Sequence, residues 1–139
     1  MIIGTGEDTV DIRRIQAALD RFGDRFLKRA FTPAEQAKAA TRKGALEPAS
    51  TLAKRFAAKE ACAKALGTGF SHGVFMKSIG VINAPSGQPS LLLQDGAAKR
   101  LESLTPEGSE IRIHLTLSDE YPYARAFVII EAIEQKDPK

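Results

Sequence analysis

The sequence predicts an α+β domain whose helices pack on one face of a mainly antiparallel sheet. Helical hydrophobic spacing fills the first half of the chain, and strand-type alternation interrupted by a hairpin turn fills the second. The length, 139 residues, suits one unit spanning 1–139 with a core of its own.

In chain order, Met1 to Gly6 reads as a short strand. Ile12, Ile15, Leu19, Phe22 and Phe26 then recur along one side of a helix whose weak point is Gly23. Thr32, Pro33 and Glu35 form a helix start: a hydroxyl cap, a proline where no amide is missed and a carboxylate that reaches back, with Gly44 suited to the other end. A third helix is expected from about Thr51 to Leu66, closed by Gly67. Val74 to Asn83 reads as a strand, Pro85 to Gln88 as a turn and Ser90 to Gln94 as the returning strand. A short helix follows around Ala97 to Leu104. Ile111, Ile113, Leu115 and Leu117 then alternate with Arg112, His114, Thr116 and Ser118, the period of a half-buried strand. Tyr123 to Glu131 supplies the last strand, and Glu134 to Lys139 a short tail.

Composition narrows the function classes. A net charge of +3 does not demand nucleic acid, and with no Trp and two Tyr the chain is poorly supplied with base-stacking platforms. Apolar runs such as Phe127 to Ile130 fall far short of the roughly 20 residues of a membrane helix, so no membrane partner and a cytoplasmic protein are expected. Cys62, the only cysteine, sits among alanines and reads as a small buried hydrophobe.

The chemistry concentrates between Arg55 and Gly69. In a helix Glu60 and Lys64 lie one turn apart, Lys59 lies beside them, and glycines follow at the helix end, which places a carboxylate for a metal next to ammonium groups for phosphates. The plainer alternative is a solvated helix with a Glu–Lys pair. Asp8 follows the turn-like Gly4-Thr5-Gly6 and can point toward a ligand or cap the next helix. On the first helix Arg14, Arg21, Arg25 and Lys28 fall within a narrow arc at about 100° per residue, turned away from the apolar stripe.

These residues resemble the holo-acyl-carrier-protein synthases, small members of the phosphopantetheinyl transferase superfamily. The likeness rests on Gly6-Glu7-Asp8 near the start, on Arg55 to Gly69 matching Arg-Phe-Ala-x-Lys-Glu-Ala-x-x-Lys-Ala-x-Gly-Thr-Gly without a gap, on the Asn83 to Pro89 turn, and on His114 to Asp119. Glu7 and Thr9 depart from it, standing where aliphatic residues are usual. The resemblance implies transfer of 4′-phosphopantetheine from coenzyme A to a serine of an acyl carrier protein. It implies magnesium held by Asp8 and Glu60, with Glu60 or a water it holds accepting the serine proton. Asp8, Glu60 and Lys64 form the catalytic set. Lys59 and Lys64 would contact coenzyme A phosphates, Arg55 and His114 its nucleotide end, and Gly67, Thr68, Gly69 and Pro89 would shape the pocket. Arg14, Arg21 and Arg25 would dock the acidic carrier protein. A homotrimer with coenzyme A bound between subunits is likewise implied. The rival readings are a noncatalytic nucleotide or RNA binder, which would not need the acids, and an inactive structural subunit, against which the intact acids and lysines argue.

Overall fold

The longest helix organises the molecule. In the computed structural model, which describes residues 1–44 and 47–136, α4 (Glu47–Ala65) is buried around most of its circumference, among β1 (Ile2–Asp11) and β5 (Tyr123–Glu134) on one side and α1 (Ile12–Phe22) and α3 (Pro33–Ala40) on the other. Its alanines favour the helix and leave room for neighbours to come close. The closest approach is by β1: a Cβ on Gly4 would stand 2.1 Å from the Ala65 carbonyl oxygen, and one on Gly6 1.8 Å from that of Ala61. Only glycine fits at those two positions.

β1, β5 and β4 (Ser109–Glu120) form an antiparallel sheet in the order β1-β5-β4. Ala124, Ala126, Val128, Ile130 and Ala132 of β5 are buried toward α4, and their partners Val10, Asp8, Gly6 and Gly4 share that face. Each apolar side chain of Val or Ile size buried there contributes about 1.5–3 kcal/mol. The opposite face carries Arg125, Phe127 and Ile129, flanked by Thr5, Glu7 and Thr9 of β1 and by His114, Thr116 and Ser118 of β4.

A separate antiparallel hairpin, β2 (Ile79–Asn83) with β3 (Pro89–Leu93), packs against α4 and β4, and α5 (Asp95–Leu104) follows it. The expected fold class holds, with two antiparallel sheets in place of one. Three local expectations change. The first strand continues to Asp11 because Gly4 to Gly6 are extended strand residues, not a turn. The strand expected from Val74 begins only at Ile79, since Met76–Ser78 forms a 3₁₀ turn in which the Ser78 hydroxyl accepts the Phe75 N–H. The first helix breaks at Gly23 (φ 54°), and α2 (Asp24–Ala30) restarts it, leaving Phe22 44% exposed while Phe26 turns inward against Phe31 and Phe56. The start of α3 is the predicted one: the Thr32 hydroxyl accepts the Glu35 N–H and the Glu35 carboxylate accepts the Thr32 N–H. In the expected tail, residues 137–139 lie outside the described ones.

Candidate active site

Strand alternation and the β1–α4 contact together place Asp8. The side chain faces α4, and its Oδ1 accepts Lys64 Nζ at 2.9 Å, while the same ammonium donates to the Glu7 carbonyl at 2.9 Å. Asp8 does not cap α1; Asp11 does, accepting the Arg13 N–H at 2.9 Å. Asp8, Glu60 and Arg14 line one cleft of about 330 Å³, walled on its apolar side by Ile15, Phe26 and Phe56. Burial first, and then the Asp8 charge, push the Glu60 carboxyl above its ordinary range, opposed by Lys64 and Arg14. Lys64 is held above its ordinary value chiefly by its hydrogen bond to Asp8.

Two carboxylates lining one cleft are the donor set a hard divalent cation uses when substrate phosphates and waters complete its shell. Among the described residues no cluster of three or more His, Cys, Asp or Glu offers a cage made of protein ligands alone. Asp8 and Glu60 therefore fit magnesium of the substrate-bridging kind. Glu7 points to the other face of β1 and pairs with Arg125 there at 2.5 Å.

The remaining expected residues divide among three places. Pro89 and His114 line a second cavity of about 590 Å³ with Gln88, Thr116 and Phe127, on the outer face of the three-stranded sheet. His114 Nε2 lies 3.3 Å from Glu131 Oε1 there. Gly67 (φ 79°), Thr68 and Gly69 turn the chain out of α4, with the Gly67 N–H on the Lys64 carbonyl and the Gly69 N–H on that of Ala63. Arg55 is buried: Nη1 donates to the Thr51 carbonyl, Nη2 donates to Asn83 Oδ1 at 3.1 Å, and Nε has no hydrogen-bond partner among the described residues. Burial presses its pKa down, against the Glu35 charge, and the Arg42 charge presses the same way.

Lys59 requires a correction. It was expected at the coenzyme A phosphates, yet it is 0% exposed, with Nζ 2.7 Å from Glu35 Oε1 and donating to the carbonyls of Ile79 and Met76. An ammonium whose donors are all engaged inside the core has none left for a phosphate. Arg14, Arg21 and Arg25 are all exposed, but the break at Gly23 puts Arg25 on α2, and Arg21 lies over the Phe22 ring at 5.1 Å. Sequence reasoning missed Phe56 in the acid cleft, although its spacing of one turn from Glu60 signals a shared face. It also missed Arg42, for which no signal existed.

The chain matches the 4′-phosphopantetheinyl transferase superfamily over residues 4–126. It belongs to that superfamily. A relative from Sphingopyxis alaskensis, a holo-[acyl-carrier-protein] synthase, is 62% identical over 96% of this chain and 99% of its own length. The crystal structure of holo-[acyl-carrier-protein] synthase from Neisseria meningitidis superposes with a TM-score of 0.80 at 38% identity, over 94% of this chain and 99% of that one. The Bacillus anthracis enzyme, solved in complex with CoA (3′,5′-ADP), gives a TM-score of 0.76 at 33% identity, over 96% and 99%. Within the superfamily the chain is thus an enzyme of the holo-[acyl-carrier-protein] synthase type.

Proposed function

We propose that this enzyme transfers 4′-phosphopantetheine from coenzyme A to a serine of an apo acyl carrier protein and releases adenosine 3′,5′-bisphosphate, with magnesium held by Asp8 and Glu60. The observation that carries this reading is the meeting of Asp8 and Glu60, remote in sequence, on one cleft with Arg14 and the Lys64 ion pair at its edge. The coenzyme A bound to the Bacillus anthracis relative supports the donor.

The serine oxygen forms a bond to the phosphorus on the pantetheine side of the diphosphate, and the bond from that phosphorus to the bridging oxygen breaks, so the bisphosphate leaves with the electron pair. Such a transfer asks the protein for position and charge more than for covalent chemistry. Magnesium, when bound, supplies charge neutralisation on the diphosphate oxygens. Glu60, or a water it holds, takes the serine proton, and burial makes its carboxylate more basic than an exposed one. Lys64, half-exposed and hydrogen-bonded to Asp8, supplies a positive charge at the cleft edge. Arg55, with Arg42 near it, supplies fixed positive charge toward the hairpin, at the nucleotide end of the donor together with His114 and Pro89.

The same reading includes a homotrimer, with each site shared between subunits, and a cytoplasmic location. Its support is the separation of the two cavities: the acids face α4 on one side of the sheet, while His114 and Pro89 open on the other. That outer face also leaves Phe127 41% exposed in the middle of the sheet, an apolar surface suited to a neighbouring copy. Acidic carrier protein would meet the exposed arginines of α1 and α2. Mass spectrometry of apo carrier protein incubated with this enzyme, coenzyme A and magnesium tests the reaction: the phosphopantetheine mass should appear on the carrier and be absent under chelation. No added mass with any apo carrier would overturn the reading.

A further inference from the structure

Among the described residues Lys59 and Glu35 make a heavily bonded buried group, and the reaction as proposed uses neither. Both are 0% exposed. Glu35 Oε1 accepts the Thr32 N–H at 2.8 Å and meets Lys59 Nζ at 2.7 Å, while Oε2 accepts the Val81 N–H at 2.7 Å. Lys59 Nζ also donates to the Ile79 carbonyl at 2.6 Å and the Met76 carbonyl at 3.0 Å, and it stands 5.7 Å above the Phe31 ring. The pair therefore clamps the 3₁₀ turn and the first residues of β2 to α4 and to the start of α3.

A buried ion pair is a poor means of holding a core, because well-packed apolar residues of similar size do so as well or better. What apolar residues cannot do is fix direction. Two carbonyls and one amide of the Met76–Val81 segment are each bound to a charged atom, so the segment has one register and one height against α4. One turn earlier on the same helix Arg55 reaches Asn83 at the far end of β2, and Asn83 Nδ2 donates to the Gly87 carbonyl in the hairpin turn. Gln88 and Pro89, just beyond that turn, form one wall of the cavity that contains His114. Lys59 itself precedes Glu60.

We infer that the Glu35–Lys59 pair is a positioning element for the donor: by clamping β2 to α4 it sets the hairpin wall, Gln88 and Pro89, of the cavity that contains His114 and that this chain offers to coenzyme A. This rests on the reaction proposed above. Lys59 is a positioning residue; it touches no substrate.

The test is the double variant Glu35→Gln with Lys59→Met, which removes both charges of the pair together, assayed beside Lys59→Met alone and the unaltered enzyme. Circular dichroism and hydrogen exchange report folding and the mobility of 79–93. In the folded double variant the KM for coenzyme A should rise about tenfold, with kcat and the carrier protein's KM changed by less than about threefold. Exchange of the Val81 amide should quicken while that of β5 stays slow. An unchanged coenzyme A KM, or a fall in kcat at unchanged KM, would overturn the inference. If the double variant does not fold, the same comparison is made with Asn83→Ala, which releases the hairpin from Arg55: a rise in coenzyme A KM supports hairpin positioning and no rise overturns it. Failure of the unaltered enzyme to transfer phosphopantetheine would instead defeat the reaction itself.

Discussion

Glu60 carries opposing demands. Burial and the neighbouring Asp8 charge raise its pKa above the ordinary 4.5, so without metal its charged form is less favoured in the folded protein than in the unfolded chain. By linkage, its contribution to stability is fully present below the unfolded value and is lost as pH rises through the raised folded value. Glu60→Gln should therefore raise Tm slightly at pH 7 in a chelator, by about 1–2 °C because the group is partly solvated, and the difference should vanish below about pH 4. The same variant should lower kcat by about 100-fold or more. Calorimetry across pH, paired with the transfer assay, checks both parts, and a destabilised variant at pH 7 would show that Glu60 serves the fold. Asp8→Asn should also abolish most transfer, and it should remove the negative charge that holds the Lys64 ammonium, leaving it the Glu7 carbonyl and at most a neutral amide oxygen. Cys62 is inert by comparison: burial pushes its thiol up to about 12.

At the scale of elements, the contact of β1 with α4 carries the site. Gly6→Ala would drive a methyl group onto the Ala61 carbonyl, so β1 must retreat from the helix and take Asp8 away from Glu60 and Lys64. The expected cost is about 3 kcal/mol, with transfer per folded molecule reduced as well, measured by denaturant unfolding and by kcat. Helix α1 offers a second test. Arg14 lines the acid cleft and its charge acts on Glu60, so reversing it would disturb docking and chemistry together. Arg21, stacked on Phe22 and exposed, is the cleaner probe: Arg21→Glu should raise the carrier protein's KM about tenfold, leave coenzyme A's unchanged and weaken the salt dependence of the former. Much of this level was legible in the sequence. Capping residues gave the start of α3, alternation gave β4, and motif spacing put Glu60 one turn from Lys64 on the same helix. The partners of Lys59 were not legible, because Glu35 looks complete as a capping carboxylate and nothing local reveals that its second oxygen and its charge face the core. Likewise Gly4 to Gly6 read as a turn, since a glycine chosen for close approach of a helix leaves the same signature as one chosen for a bend.

For the whole molecule, one chain displays the residues proposed for its donor site on opposite sides of a sheet. Asp8 and Glu60 belong to the α4 side, and His114 and Pro89 to the outer side with Phe127. If the outer face packs on a neighbouring copy, His114 of one subunit completes the site begun by Glu60 of another, and two defective variants can repair each other. Glu60→Gln and His114→Glu should each be nearly inactive alone. Co-refolded in equal amounts as a ring of three, they would pair an intact Glu60 with an intact His114 at about a quarter of the interfaces, so that fraction of the unaltered rate should return. Phe127→Glu should prevent this recovery by splitting the assembly, seen by analytical ultracentrifugation, while leaving the far-UV signal of the subunit intact. A mixture no more active than its components, at concentrations where the assembly is intact, would place each complete site within one chain.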